Sequence, residues 1–596
     1  YCPAGAVKLG QKLCTKDGFI EYPRQELPDE VKWGPEKWAI DYRDKNRVNC
    51  YETGTAPCKT ACPAHIAVQG YLKLAAQGKY REALQLIKRE NPFPAVCGRI
   101  CNRRCEDACT RGTIDQAVAI DEVKRFIAQQ DLDAATRFVP EKVIPKVDGE
   151  FSEKIAIIGG GPAGLSCAYY LAEKGYRPTV FEKEARTGGM LMNGIPSFRL
   201  EKDVVEAEID VLRELGVEFR TGVEVGRDVT IAQLREEGYK GFYLAVGLQS
   251  GGRLGVPGDD ARGVEAGIDF MRAVNLCGEK TLSGRVVVIG GGNIAADVAR
   301  TAVRCGAESV TMYCLEGYDE MPMGEEDRSE CERDGVVIRA GWGQTEITSA
   351  DGVCTGIRFR KCLRVKNDEG RFAPVFDDEQ TEETACTTVL YCIGQKADWR
   401  TLLTGTAVEL RPNGTAVTDP VTGQTAEPDI FAGGDAVTGQ KFAIDAIAAG
   451  KEGAISLHRY VQGAHLTIGR NRRQFIELDK KNALIPIDSY DTTPRQRIGY
   501  NEALRRTFRD ERVAFTEEQV RAETARCLGC GASVVDPNKC IGCGVCTTKC
   551  SFDAIHLHRE RPECSTMVAS EDKMKAILPY MVKREIKIKR AARKKK

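Results

Sequence analysis

The sequence predicts an α/β fold: two Rossmann-like units, one inserted in the other, between an N-terminal helical segment and a C-terminal ferredoxin-like segment. Three observations predict it. Glycine-rich turns at 159–164 and 290–295 each follow a β-branched run and precede an amphipathic stretch. A Gly-Gly-Asp turn at 433–435 resumes the first unit after the second has ended. The cysteines gather at the two ends: of 25, seven fall between Cys50 and Cys109 and seven between Cys527 and Cys564.

The chain has 596 residues, 42% of them hydrophobic and 29% charged, which suits several globular domains. Formal net charge is zero, which removes any global electrostatic case for nucleic acid. No apolar run approaches the ~20 residues needed to span a bilayer, so no membrane insertion is expected. Clustered Cys-x-x-Cys and Cys-x-x-x-Cys spacings in a long chain favour metal ligation over disulfides. The expected compartment is therefore reducing and cytoplasmic.

Residues 1–44 open on "YCPAGAVKLG", which looks like the last cysteine of a ferredoxin run, comparable with "KCSFDAIHL" near the other end. With Tyr rather than Met first, the expectation is a remnant of a ferredoxin-like segment and a linker, with further clusters before it. Residues 45–150 form the expected helical iron–sulfur domain. Cys58, Cys62, Cys97, Cys101, Cys105 and Cys109 recur there, several at four-residue spacing, and Cys50 is a plausible seventh ligand. Seven thiolates suit one full cluster and a second completed by a non-Cys or distant ligand.

The first dinucleotide site is "KIAIIGGGPAGLSCAYYLAEKGYRPTVFEKE". Gly159 permits the tight turn, Gly161 lets the backbone approach a pyrophosphate, and Gly164 lets the helix pack on the strand. Pro162 and Ala163 complete the loop, and Glu182 follows at the spacing of a ribose-hydroxyl acceptor. Gly189 and Met190 in "TGGML", Ala245 and Gly247 in "YLAVG", and Gly434 and Asp435 in "DIFAGGDAV" select FAD as the ligand. The Asp of such a turn reaches the ribityl–pyrophosphate in two-dinucleotide flavoproteins. The FAD domain is then discontinuous, 151–262 and 395–465, with Arg199 in "GIPSFRL" and Gly394 as further cofactor-binding candidates.

The inserted NAD(P)-binding domain, 263–394, carries Gly290, Gly292, Asn293 and Ile294 between a strand and a helix. NADP enzymes of this layout commonly place Arg after the second strand to pair with the 2′-phosphate. Here Cys314, Leu315 and Glu316 stand there. A carboxylate repels a phosphate and accepts from free ribose hydroxyls, so NAD(H) is expected over NADP(H).

Residues 466–525 read as a connector and 526–570 as a 4Fe–4S ferredoxin-like domain. Cys540, Cys543, Cys546 and Cys550 give the C-x2-C-x2-C-x3-C run, in which the fourth cysteine ligates a different cluster. Cys527 and Cys530 are candidates to share that cluster, and Cys564 to complete a set. Three to four clusters are expected in all. Residues 571–596 end in a basic run that reads as a solvated, partly disordered tail. The nine cysteines from Cys167 to Cys392 lack ligand spacing and read as core thiols.

Over roughly residues 45–465 these motifs resemble the glutamate synthase small-subunit family, through "NPFPAVCGRIC", "GIPSFRL" and "GGNIAADVARTAVRCGA". The ferredoxin segment resembles its anaerobic multi-subunit members, which include the large subunit of NADH-dependent ferredoxin:NADP oxidoreductase. The resemblance implies hydride exchange between nicotinamide and FAD and single-electron exchange between FAD and clusters. It also implies partner redox subunits, a ferredoxin or ferredoxin-like domain as partner, and a place for flavin-based bifurcation. Three departures stand out. The Arg pair after the second nucleotide strand is absent. The family's second N-terminal cysteine falls at Thr53. Its Glu or Gln cluster ligand falls at Lys124, with Cys97 as the candidate replacement. The alternative reading is a small subunit of glutamate synthase, or another reductase feeding a substrate-reducing chain.

Overall fold

The computed structural model describes residues 12–15, 18–21, 56–142, 151–278, 281–468, 470, 490–530, 543–545 and 570–594. The chain divides into two units, one formed by 52–533 and the other by 1–51 with 534–596.

In the larger unit, six short helices run from Pro57–Ala61 through Val68–Ala76, Tyr80–Lys88, Pro94–Ile100 and Arg104–Asp107 to Ile120–Ala128. Pro57 and Pro94 open their helices, where a missing N–H costs nothing. Helix Tyr80–Lys88 buries Ala83, Leu84 and Ile87 along one face. The Lys88 ammonium is buried too, held by Asp131 at 2.6 Å and by the Phe138 carbonyl at 2.9 Å. Glu208, on helix Lys202–Glu214, caps helix Pro94–Ile100: its carboxylate accepts the Ala95 and Val96 N–H groups at 2.7 and 2.9 Å.

Both Rossmann-like units of the predicted fold are present. The first sheet has five parallel strands in the order Ile430–Ala432, Tyr239–Leu244, Lys154–Ile158, Thr179–Glu182, Glu218–Thr221. Its outer strand Ile430–Ala432 comes from beyond the insert, so this sheet closes only when the chain returns. The second has five parallel strands in the order Val337–Ala340, Ser309–Cys314, Arg285–Ile289, Thr388–Tyr391, Val264–Ala266. In each, the strand before the glycine turn is buried after its first residue, as a strand covered by helices on both faces requires. The chain enters and leaves the insert along paired antiparallel strands, Ser250–Gly251 and Gln395–Lys396.

An antiparallel meander, Trp342–Ala350, Val353–Lys366 and Phe372–Ala385, adds to the insert. Its first hairpin turns on Asp351 and Gly352, both at positive φ, the two-residue geometry that matches strand twist.

In the smaller unit, Lys12–Thr15 pairs antiparallel with Gly18–Glu21. The basic tail, read from sequence as partly disordered, is instead helical over Lys573–Lys594. Its Ala, Lys, Arg, Met and Leu residues favour a helix, against which Pro579 removes one N–H donor. Among the described residues, no helix is long and apolar enough to cross a membrane.

Candidate functional site

The first glycine turn forms as its spacing predicts. Gly159 has φ +108°, and a Cβ there would lie 2.4 Å from the Ala245 carbonyl oxygen. At Gly164 a Cβ would lie 2.0 Å from the Gly159 oxygen, so the helix packs against its own turn. Pro162 opens helix Pro162–Lys174. The carboxylate of Glu182 accepts the Gly160 N–H at 2.8 Å and the Glu184 N–H at 2.9 Å. Burial pushes its pKa up, and these two donors work against that shift.

A cavity of about 620 Å³ opens above this turn. Gly159, Gly161, Pro162, Ala163 and Glu182 line one side, with Gly189 and Met190 beside them. Ala245, Gly247, Gly434 and Asp435 line it as well, Gly434 and Asp435 coming from the chain beyond the insert. Asp435 opens the short helix Asp435–Thr438 and accepts the Lys441 N–H at 3.2 Å. Burial pushes its pKa up to about 6.

The insert closes the same cavity. Asn293 and Ile294, at the start of helix Asn293–Arg304, line it together with Asp297 one turn on. Gly290 abuts Cys392 much as Gly159 abuts Ala245, while a Cβ at Gly292 would meet nothing within 4 Å, leaving the backbone open to a ligand. Glu316 lies at this turn as Glu182 lies at the first: built Cβ atoms at Gly291 and Gly160 fall 3.2 and 3.0 Å from the respective Oε2 atoms. Gly394, at φ +103° and also open, immediately precedes the return strand. Arg199 lines the cavity, but its guanidinium is engaged by protein carboxylates, Asp297 at 2.9 Å and Asp327 at 3.1 Å.

Cys101, Asn102 and Arg103 of the helical domain form another part of the wall. Cys101 belongs to a set with Cys62, Cys97 and Cys105. Burial raises all four thiol pKa values, and the Lys124 ammonium lowers each of them. Lys124 itself is buried and pairs with Asp121 at 2.5 Å. Cys97, the candidate replacement ligand, is thus in the set that surrounds Lys124.

Cys58, Cys109, Cys527 and Cys530 line a second, smaller cavity. Cys50, Cys540, Cys546, Cys550 and Cys564 lie outside the described residues, as do residues 1–5, and Cys543 is exposed. Cys167, Cys305, Cys314, Cys331, Cys354, Cys362 and Cys386 are buried, in keeping with core thiols. Cys354 and Cys386 approach to 3.9 Å between sulfurs, a pairing across the meander that spacing alone did not signal. Among the described residues, no group of three or more His, Cys, Asp or Glu side chains could hold a metal ion. Each cysteine set brings four thiols together, and a 4Fe–4S cluster differs from a single ion in binding its ligands through separate irons of a cube. Asp297 and the 101–103 segment were not foreseen at the dinucleotide site. The four-residue step from Asn293 to Asp297, one helical turn, was the available signal for the first.

A turn built for a pyrophosphate, a Gly-Gly-Asp closure, an inserted nucleotide unit and four-thiol sets define an FAD- and NAD(P)H-dependent iron–sulfur oxidoreductase. Comparison with known families agrees. Residues 153–450 match the pyridine nucleotide-disulphide oxidoreductases, 41–136 match the dihydropyrimidine dehydrogenase domain II with its 4Fe-4S cluster, and 533–556 match a 4Fe-4S binding domain. The chain belongs to the pyridine nucleotide-disulphide oxidoreductase family, among relatives of the glutamate synthase small subunit.

It is 35% identical over 504 residues to the beta subunit of an NADP(+)-dependent formate dehydrogenase from Moorella thermoacetica, covering 80% of this chain and 70% of that one. It is 36% identical over 429 residues to the small chain of an NADPH glutamate synthase from Halomonas elongata, 69% of this chain and 89% of that one. A subunit of an NAD-dependent dihydropyrimidine dehydrogenase from Escherichia coli is 31% identical over 423 residues, 70% and 94% respectively.

Proposed function

We propose that the chain is the electron-transfer subunit of a multi-subunit, ferredoxin-linked complex, exchanging hydride between NAD(H) and FAD and single electrons between FAD and 4Fe–4S clusters. One observation carries the reading: a single cavity is lined by the first glycine turn, by Asn293 and Ile294 of the insert, and by Cys101 of the helical domain. Sites for flavin, nicotinamide and a cluster ligand therefore adjoin.

FAD, when bound, takes a hydride from a nicotinamide and passes electrons on singly. The protein's part is to bind and position. The N-terminus of helix Pro162–Lys174 offers free N–H groups and a partial positive charge to a pyrophosphate. Arg199, between Asp297 and Asp327, fixes the insert against the FAD unit and so sets the approach of the two rings. Arg104 anchors the helical domain on Asp445, at 3.0 and 3.2 Å, and so fixes Cys101 at the cavity wall. Hydride transfer needs no general acid or base from the protein.

Glu316 favours NAD(H), although two of the relatives above are named for NADP(+) or NADPH. Its carboxylate stands at the turn where a 2′-phosphate would otherwise be held. Those relatives are subunits or chains of larger enzymes, which supports partner redox subunits and a ferredoxin or ferredoxin-like domain here. The test is anaerobic reduction of the purified holoprotein with NADH and with NADPH, following flavin absorbance. Faster reduction by NADPH would refute the nucleotide assignment.

A further inference from the structure

We propose that Cys58, Cys109, Cys527 and Cys530 together ligate one 4Fe–4S cluster, so that a Cys-x-x-Cys pair from the C-terminal third of the chain completes a cluster of the N-terminal helical domain. The inference rests on the iron–sulfur reading above and deepens it by naming a ligand set.

The four thiols line one cavity, walled on its other sides by apolar groups such as Leu72, Val118 and Ile120. The two pairs are more than 400 residues apart in sequence, yet the approach is built rather than incidental. Arg526, fully buried, directly precedes Cys527. It donates to the Gln116 carbonyl at 2.6 Å, to Asp115 at 3.1 Å and to Glu523 at 2.6 Å. Arg111, two residues after Cys109, donates back to the Arg526 carbonyl at 3.0 Å. Glu523, also fully buried, accepts the Ala119 N–H at 2.8 Å. Buried charges of this kind are costly unless every partner is in place, so the segment is held in one register against the helical domain. That register delivers Cys527 and Cys530 to Cys58 and Cys109.

The donor chemistry points the same way. All four cysteines are free thiols. None of the four is exposed, and all four face the same cavity. Four half-buried thiols gain little from this crowding as thiols. As thiolates they need cationic irons among them, and each gives up its proton as sulfur binds iron, with no electron transferred in the step. The pair also answers the gap at Thr53, since Cys527-x-x-Cys530 has the spacing that Cys50-x-x-Thr53 lacks.

The test compares C527S/C530S with C58S/C109S and with C543S/C546S in the ferredoxin run, by iron and sulfide per FAD and by EPR of the dithionite-reduced protein. The first two double variants should each lose about four irons and the same EPR signal, and combining them should lose no more. C543S/C546S should lose a different signal. Thiol alkylation of the unaltered holoprotein checks the set without a variant: all four cysteines should be protected together and become reactive together when the clusters are stripped. The set is overturned if C527S/C530S removes the signal that C543S/C546S removes, if it leaves iron content unchanged, if the site holds zinc, or if the four are released separately. A flavin-containing protein with no iron at all would defeat the electron-transfer reading itself, whereas iron with the wrong pattern of loss defeats only this ligand set.

Discussion

Arg199 and Asp297 join the two Rossmann-like units: the guanidinium of one, from "GIPSFRL", donates at 2.9 Å to the carboxylate of the other, on the first turns of the inserted unit's helix. Asp327 takes the same nitrogen at 3.1 Å. The contact sits at the wall of the cavity proposed for flavin and nicotinamide.

Asp297→Asn should therefore slow flavin reduction by NADH about tenfold or more, because a small displacement of one ring from the other costs heavily in rate. FAD content should not change, since the first glycine turn is untouched. Anaerobic stopped-flow reduction of flavin-replete protein measures both. Loss of FAD, with the rate per flavin unchanged, would speak against this positioning role.

Glu316→Arg should raise the NADPH-to-NADH ratio of kcat/KM by at least about tenfold, by exchanging a repulsive group for one that pairs with phosphate. Steady-state reduction of an artificial acceptor suffices. An unchanged ratio would mean that Glu316 does not face the adenosine ribose.

Lys124 stands among Cys62, Cys97, Cys101 and Cys105 and pairs with Asp121 at 2.5 Å. A cation beside a cluster favours the reduced form. Lys124→Met should lower that cluster's potential by on the order of 60 mV, equivalent to ~1.4 kcal/mol for one electron. EPR-monitored redox titration reads the shift. A potential that rises or stays fixed would place Lys124 away from the cluster.

Glu208 is fully buried, and burial, followed by the nearby Asp131, pushes its pKa from the usual value up to about 8. The unfolded chain ionises this carboxyl at lower pH than the folded chain does. The folded state therefore keeps its full advantage below about pH 4.5 and loses it progressively as pH rises through about 8. Glu208→Gln should flatten that slope. It should also cost roughly 1–3 kcal/mol near pH 6, because the amide nitrogen would face a backbone N–H. Anaerobic thermal unfolding from pH 5 to 9 compares the two.

Much of this was readable from the chain because it is local. Gly164 and Asp435 carry constraints set within a few residues of themselves, and the positive φ of Gly159 is local too, although its close neighbour Ala245 is not; their turns formed accordingly. The parallel strands were legible as β-branched runs before each glycine turn. The meander at 342–385 was not, because its long strands are largely solvated and alternate too weakly to mark one buried face. The tail helix was missed because a run of like charges reads as a solvated coil. The pairing of Arg199 with Asp297, and the meeting of Cys527 and Cys530 with Cys58 and Cys109, depend on how distant segments pack. Spacing shows that a Cys-x-x-Cys pair is a ligand pair, but not which other pair it meets.

The proposed electron path runs from a nicotinamide nucleotide through the flavin to clusters held by this one chain. Anaerobic titration of the holoprotein with NADH, following flavin absorbance and EPR together, tests it most directly. The flavin should bleach and cluster signals should then appear without any added mediator. A flavin that NADH reduces while clusters reducible by dithionite stay oxidised would contradict it.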